Sequence, residues 1–164
     1  ASRGETVVVN VANNTTHMTT LHWHGMHLPA RMDGGPHSMV QPSTNWSPTW
    51  TIYQKAATLW YHPHHHGRTD EQIYRGLAGL FIVDDPAADP SGLPDNYGVD
   101  DIPLIVQDKA FTPDGGLDFD TGSTTAVGFV GDTIVVNGAI GAYVDVAHTH
   151  VRLQIGRASC RERV

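Results

Sequence analysis

The sequence predicts an all-β protein of the sandwich or Greek-key barrel type, and three observations predict it. β-Branched and aromatic residues gather in runs of four to six, Gly, Pro, Asn and Asp clusters separate the runs, and no long segment keeps the apolar spacing of a helix. Frequent turns between short strands are the pattern of two packed sheets or a small barrel. The runs are 6–11 (TVVVNV), 49–53 (TWTIY), 58–61 (TLWY), 80–83 (LFIV), 102–106 (IPLIV), 133–136 (TIVV) and 151–155 (VRLQI). Within 111–119 (FTPDGGLDF), Asp114-Gly115-Gly116 reads as a hairpin turn, since glycine accepts positive φ without a steric penalty. Residues 84–101 are rich in Pro, Gly and Asp and have almost no strand pattern. The expected organisation is a first domain at 1–85, a linker at 86–101 and the start of a second domain at 102–154. That second block holds about four strand candidates, too few for a sandwich of roughly 100 residues, and reads as truncated.

Composition narrows the function. The 164 residues are 40% hydrophobic and 16% charged, which suits a folded core better than disorder. A net charge of -7 argues against a nucleic-acid binder, which needs a basic face, and no apolar run is long enough to span a membrane as a helix. The single cysteine, Cys160, cannot form a disulfide within the chain. The start, ASRGETVVV, has no initiating Met and no signal peptide, and reads as an internal cut or a mature terminus. Charge is unevenly divided: residues 1–66 carry three basic and two acidic side chains, whereas 67–154 carry four and 14.

Nine of the 11 histidines fall in the first 66 residues, and two motifs account for their chemistry. In LHWHG (21–25), an extended backbone puts His22 and His24 on one face and Trp23 on the other. WYHPHHHG (60–67) repeats the device with His62, His64 and His66, while Pro63 places this segment at an edge or where a strand leaves its sheet. Two adjacent strands with such pairs gather four imidazoles. Burying them bare would be unfavourable, and imidazole is a good ligand for Cu, Zn, Fe and Ni, so an all-nitrogen metal site is expected. His17, His27 and His37 lie among turn residues and read as solvated loop histidines, while His148 and His150 read as a polar strand face. Met18, Met26, Met32 and Met39 read as packing or loop residues rather than soft ligands.

LHWHG, DGGP (33–36), WYHPHHHG and GLAGLFIVDD (76–85), in this order and spacing, resemble the first cupredoxin domain of the multicopper oxidases, most strongly the bacterial laccase-like and copper-efflux branch. IPLIVQDKAF (102–111) and GDTIVVNG (131–138) resemble the opening strands of that family's second domain. The resemblance implies a cupredoxin-like Greek-key β-sandwich, nearly complete in its first domain. It also implies a trinuclear copper cluster between the first and third cupredoxin domains. His22 matches a type 2 copper ligand, and His24, His62 and His64 match type 3 ligands. His66 matches a position beside the cluster, and His65 a variable one. Asp33 matches an acidic residue that delivers protons to reduced oxygen; a turn-forming Asp before Gly-Gly is the alternative, and both stay open.

The implied reaction is one-electron oxidation of a small reducing substrate (a phenol, aromatic amine or low-valent metal ion) coupled to reduction of O2 to water. It further implies a periplasmic or extracellular location. The family's type 1 copper site, with its Cys, two His and axial Met, belongs to a C-terminal cupredoxin domain. Cys160 is followed by RERV and matches none of it. Residues 155–164 (IGRASCRERV) lose the β pattern and the acidic bias, and are expected to be a non-native, adapter-derived tail. The chain alone is therefore expected to be inactive. The alternatives are a stand-alone copper-binding or electron-transfer cupredoxin module and a zinc hydrolase, whose usual HxHxDH run would need an Asp that the histidine run 62–66 lacks.

Overall fold

The computed structural model describes residues 1–87, 92–119, 128–147 and 149–157, and the chain divides into two compact units. The first unit comprises Ala1–Thr69 and Ala78–Ser91, and the second comprises Asp70–Leu77 and Gly92–Val164. Segment 70–77 thus packs with the second unit, a division that the boundary at residue 85 did not anticipate. Its element is the helix α1 (Thr69–Tyr74), six residues long and so too short to show helical periodicity in sequence.

Among the described residues, seven strands build the first unit: β1 (Thr6–Val8), β2 (Val11–Asn13), β3 (His22–His24), β4 (Thr44–Trp46), β5 (Thr49–Thr51), β6 (Ala57–His62) and β7 (Gly79–Val83). Strand β1 pairs with β5, β2 pairs with β4, and β3-β6-β7 form a three-stranded sheet, all antiparallel. The run 6–11, expected as one strand, is broken at Val9–Asn10. Across from the break lies Pro48, which has no N–H to continue a ladder; its carbonyl instead accepts from the Val9 N–H at 3.1 Å. The core joins Trp23, Met26, Trp50, Ile52 and Val83, with Val7, Leu21, Trp46, Leu59, Tyr61 and Phe81 packed around them. Met26 is therefore a packing residue, as expected.

The second unit contains β8 (Asp101–Lys109), β9 (Thr133–Val136), β10 (Ala139–Ile140) and β11 (Arg152–Arg157) in the sheet order β10-β9-β8-β11. Strand β11 runs parallel to β8 and reaches Arg157, so strand pairing continues past Ile155, where the sequence pattern was expected to stop. Residues 158–164, including Cys160, lie outside the described residues. The expected turn at Asp114-Gly115-Gly116 is present: Phe111 and Leu117 form an antiparallel bridge, the Thr112 N–H donates to the Gly116 carbonyl at 2.9 Å, and Gly115 has φ +85°.

Polar side chains of β8 hold α1. Gln107 Nε2 donates to the Ile73 carbonyl at 3.0 Å and Lys109 Nζ donates to the Tyr74 carbonyl, which satisfies acceptors that a helix C-terminus leaves open. The Tyr74 hydroxyl accepts from the Ala110 N–H at 2.9 Å and donates to the Asp118 carbonyl at 2.6 Å.

The parallel register Arg152↔Asp101 is fixed by a side-chain fork. Arg152 Nε and Nη2 donate to the two Asp101 oxygens at 2.8 and 2.5 Å, and Gln154 Nε2 adds a third bond at 2.8 Å. These partners, Arg152 foremost, hold the Asp101 carboxyl below its ordinary value of 3.8 although burial opposes them. A depressed folded-state value contributes stability that is complete above pH 3.8 and is lost as pH falls through the folded value. Urea midpoints measured from pH 6 downward should thus drop below that point. The substitution Asp101→Asn should remove this part of the slope and cost about 1.5–3 kcal/mol at neutral pH, the range for a hydrogen bond to a charged group.

Candidate metal centre

Strand alternation sets the site. Trp23 points into the core at 2% exposure, so its neighbours His22 and His24 point to the opposite face of β3. The antiparallel register pairs His22 with His62 and His24 with Trp60, which brings side chains of β6 onto the same face. Strand β6 ends at His62, and Pro63 follows where the chain leaves the sheet, as expected. Beyond it, the His64 N–H donates to the buried Thr20 Oγ1 at 2.6 Å, tying the departing chain to the segment just before β3.

Four imidazoles gather here. Ring centroids lie 5.7 Å apart for His22 and His24, 5.3 Å for His22 and His62, 5.2 Å for His24 and His62, and 5.3 Å for His22 and His64. Ligand atoms of His22, His24 and His62 all lie within 4.8 Å of one another, a spacing that can hold a metal ion. His64 stands beside this trio without joining its closest set of ligand atoms, its ring 6.1 Å from that of His62. His66 is exposed in the following turn. It does not share a strand face with His62, because β6 ends at His62 and His66 lies in a turn. His150 is exposed outside any strand, contrary to the strand-face expectation, and His148 lies outside the described residues.

Hydrogen bonds assign the imidazole nitrogens. A carbonyl oxygen only accepts, so the contact of His62 Nδ1 with the Pro63 carbonyl at 2.7 Å requires an Nδ1–H and leaves Nε2 with its lone pair. That Nε2 faces His24 Nδ1 at 3.0 Å. His22 Nδ1 likewise donates to the Asp33 main-chain carbonyl at 3.1 Å, leaving its Nε2 free. His62 is 2% exposed, and its pKa is pushed down to about 4, by burial first and also by the neighbouring imidazoles, against the pull of the Pro63 carbonyl. It is therefore neutral at neutral pH, the form that binds metals.

Asp33 lies beside this cluster. Its Oδ1 is 3.0 Å from His22 Nδ1, off the direction of that N–H, and is a buried oxygen with no hydrogen-bond partner. Motif reading did not single out Trp60. Its indole stacks on His62 with centroids 4.2 Å apart and lies 5.1 Å from His24. Its position two residues before His62 on one strand was the available signal.

Paired β-strands that present converging imidazoles and no thiolate define a cupredoxin-like protein with a candidate metal centre. A family model described as "Multicopper oxidase" matches residues 1–88. The cell division protein FtsP of Escherichia coli K12 is 38% identical over 161 residues, 98% of this chain and 34% of that protein. The multicopper oxidase mco of Staphylococcus aureus is 36% identical over 153 residues, 93% of this chain and 33% of that protein. Among solved structures, the laccase from Pediococcus acidilactici superposes with a TM-score of 0.90 at 34% identity, covering 97% of this chain and 34% of that one. The McoA multicopper oxidase of Aquifex aeolicus gives 0.87 at 40% identity, covering 96% and 35%. The chain belongs to the multicopper oxidase family, whose cofactor is copper, and it spans about a third of the length of these relatives.

Proposed function

We propose that this chain supplies the first-domain half of the copper site of an oxidase that couples one-electron oxidation of a small reducing substrate to reduction of O2 to water. The observation that carries this reading is the convergence of His22, His24 and His62 on β3 and β6, in a chain of this family. Their chemistry fits copper: three nitrogen donors, two of them hydrogen-bonded at Nδ1 so that Nε2 remains available. In this reading His22 holds the type 2 copper and His24, His62 and His64 hold type 3 coppers. Copper held there would supply one-electron chemistry and a site where O2, four electrons and four protons become two waters. The remaining ligands and the type 1 site belong, by the family resemblance, to a later cupredoxin domain, which is in keeping with relatives about three times as long. A periplasmic or extracellular location goes with the same reading.

Asp33 is the proposed proton carrier. A buried carboxylate oxygen with no partner, 3.0 Å from a cluster imidazole, is placed to take a proton from solvent and pass it inward. The likeness to FtsP supports a second reading, a role in cell division. An oxygen electrode separates them. The whole protein containing this segment, loaded with Cu(II), should consume O2 with a phenolic reductant, and the 164-residue chain should bind Cu(II) without turnover. In the whole protein, Asp33→Asn should lower turnover about 100-fold or more at unchanged copper content, the scale of lost general acid catalysis. A whole protein that neither takes up copper nor consumes O2 would favour the second reading. Intense copper–thiolate absorption from the chain alone would favour a stand-alone electron carrier instead.

A further inference from the structure

We propose that Gly34 is a positioning residue of the metal centre: its missing side chain lets the Asp33–Gly34 peptide lie on β3, so that the Asp33 main-chain carbonyl holds His22 as its Nδ1–H tautomer. This inference rests on the copper reading only for its consequence. Its structural basis is independent, because β3 is the edge strand of the β3-β6-β7 sheet and the peptide of residues 33 and 34 occupies its open side. The Asp33 carbonyl there accepts the Trp23 N–H at 3.4 Å and the His22 Nδ1–H at 3.1 Å. The Trp23 indole Nε1–H donates to the Met32 carbonyl at 3.0 Å and anchors the same loop one residue earlier.

Gly34 makes this approach possible. It is buried with φ +67°, and a Cβ at that position would lie 1.8 Å from the Leu21 carbonyl oxygen and 2.5 Å from its carbon. Both contacts are with backbone, which cannot rotate aside, so any side chain must push the loop off the strand. Once the loop moves, the Asp33 carbonyl leaves His22 Nδ1 and the ring loses the bond that selects its tautomer. At Gly35, the next residue, a Cβ would meet nothing within 4 Å, and the backbone there has no positive φ. The two adjacent glycines thus separate a general effect of a methyl group from the specific contact. The family resemblance points to the Asp33 carboxylate in this segment; the main chain carries a second, distinct role.

Long-range ¹H–¹⁵N spectra of the metal-free chain test the proposal, with Cu(II) affinity from chelator competition and circular dichroism alongside. Wild type, Asp33→Asn and Gly35→Ala should all show His22 protonated at Nδ1, since each keeps the Asp33 carbonyl in place. Gly34→Ala should lose that signature and bind Cu(II) about 10- to 100-fold more weakly, the scale for removing a partner behind a ligand. A wild-type His22 protonated at Nε2 would overturn the proposal, and this readout holds even if Gly34→Ala does not fold. A folded Gly34→Ala with wild-type tautomer and affinity would also overturn it, as would loss of the tautomer in Asp33→Asn, which would assign the orientation to the carboxylate. If wild type shows the expected tautomer but binds no Cu(II), the copper reading fails and the positioning role stands.

Discussion

Replacing His62 by alanine should lower the Cu(II) affinity of the chain by on the order of 100-fold or more, because losing even a partner behind a ligand costs about 10- to 100-fold and His62 is itself one of the three converging donors. Its ring sits at the centre of the cluster, within 5.3 Å of the His22 and His24 centroids and under the stacked indole of Trp60. The loss should appear in competition titrations against a chelator of known affinity. His17→Ala is the control: that residue is exposed in a loop before β3, and its substitution should leave affinity unchanged. Equal affinities for wild type and His62→Ala would show that copper binds elsewhere, and the site proposed for β3 and β6 would fall.

Trp23→Ala should cost about 3–5 kcal/mol in unfolding free energy, the range for truncating a buried aromatic to alanine. Trp23 is 2% exposed, and its ring meets Trp50 at 5.3 Å, Tyr61 at 5.9 Å, Phe81 at 6.0 Å and Trp46 at 6.5 Å. The same side chain anchors β3 to the core, and so fixes which face presents His22 and His24. Urea denaturation should show the lower midpoint, and Cu(II) affinity should fall with it. An unfolding free energy lowered by less than about 1 kcal/mol would mean that the aromatic cluster contributes little beyond shape.

The two predictions meet at the paired strands β3 and β6, and the sequence of β3 carries both instructions. Alternation in LHWHG is a local property, so the opposite orientations of Trp23 and His22/His24 could be read from three residues. The strand runs near 80, 102 and 133 were legible for the same reason, each being β-branched and bounded by turn residues. The helix α1 was not legible, because six residues span too few turns to show a period and what holds them is distant: Gln107 and Lys109, more than 30 residues away along the chain. Nor was the break in the first run, whose cause is Pro48, between β4 and β5. The strand pairing beyond Ile155 is another tertiary matter. There a parallel neighbour, β8, offers hydrogen-bond partners regardless of the composition of the tail.

By itself the sequence determined that this is an all-β chain with two closely spaced histidine motifs and a resemblance to multicopper oxidases, because periodicity and motif are written in neighbouring residues. Only the tertiary structure decided that His22 lies opposite His62 rather than one step away, that Trp60 covers the cluster, and that Gly34 brings the Asp33 carbonyl onto His22. Register and close backbone approach are relations between segments separated along the chain, and their energies come from packing and hydrogen bonds that no single segment contains.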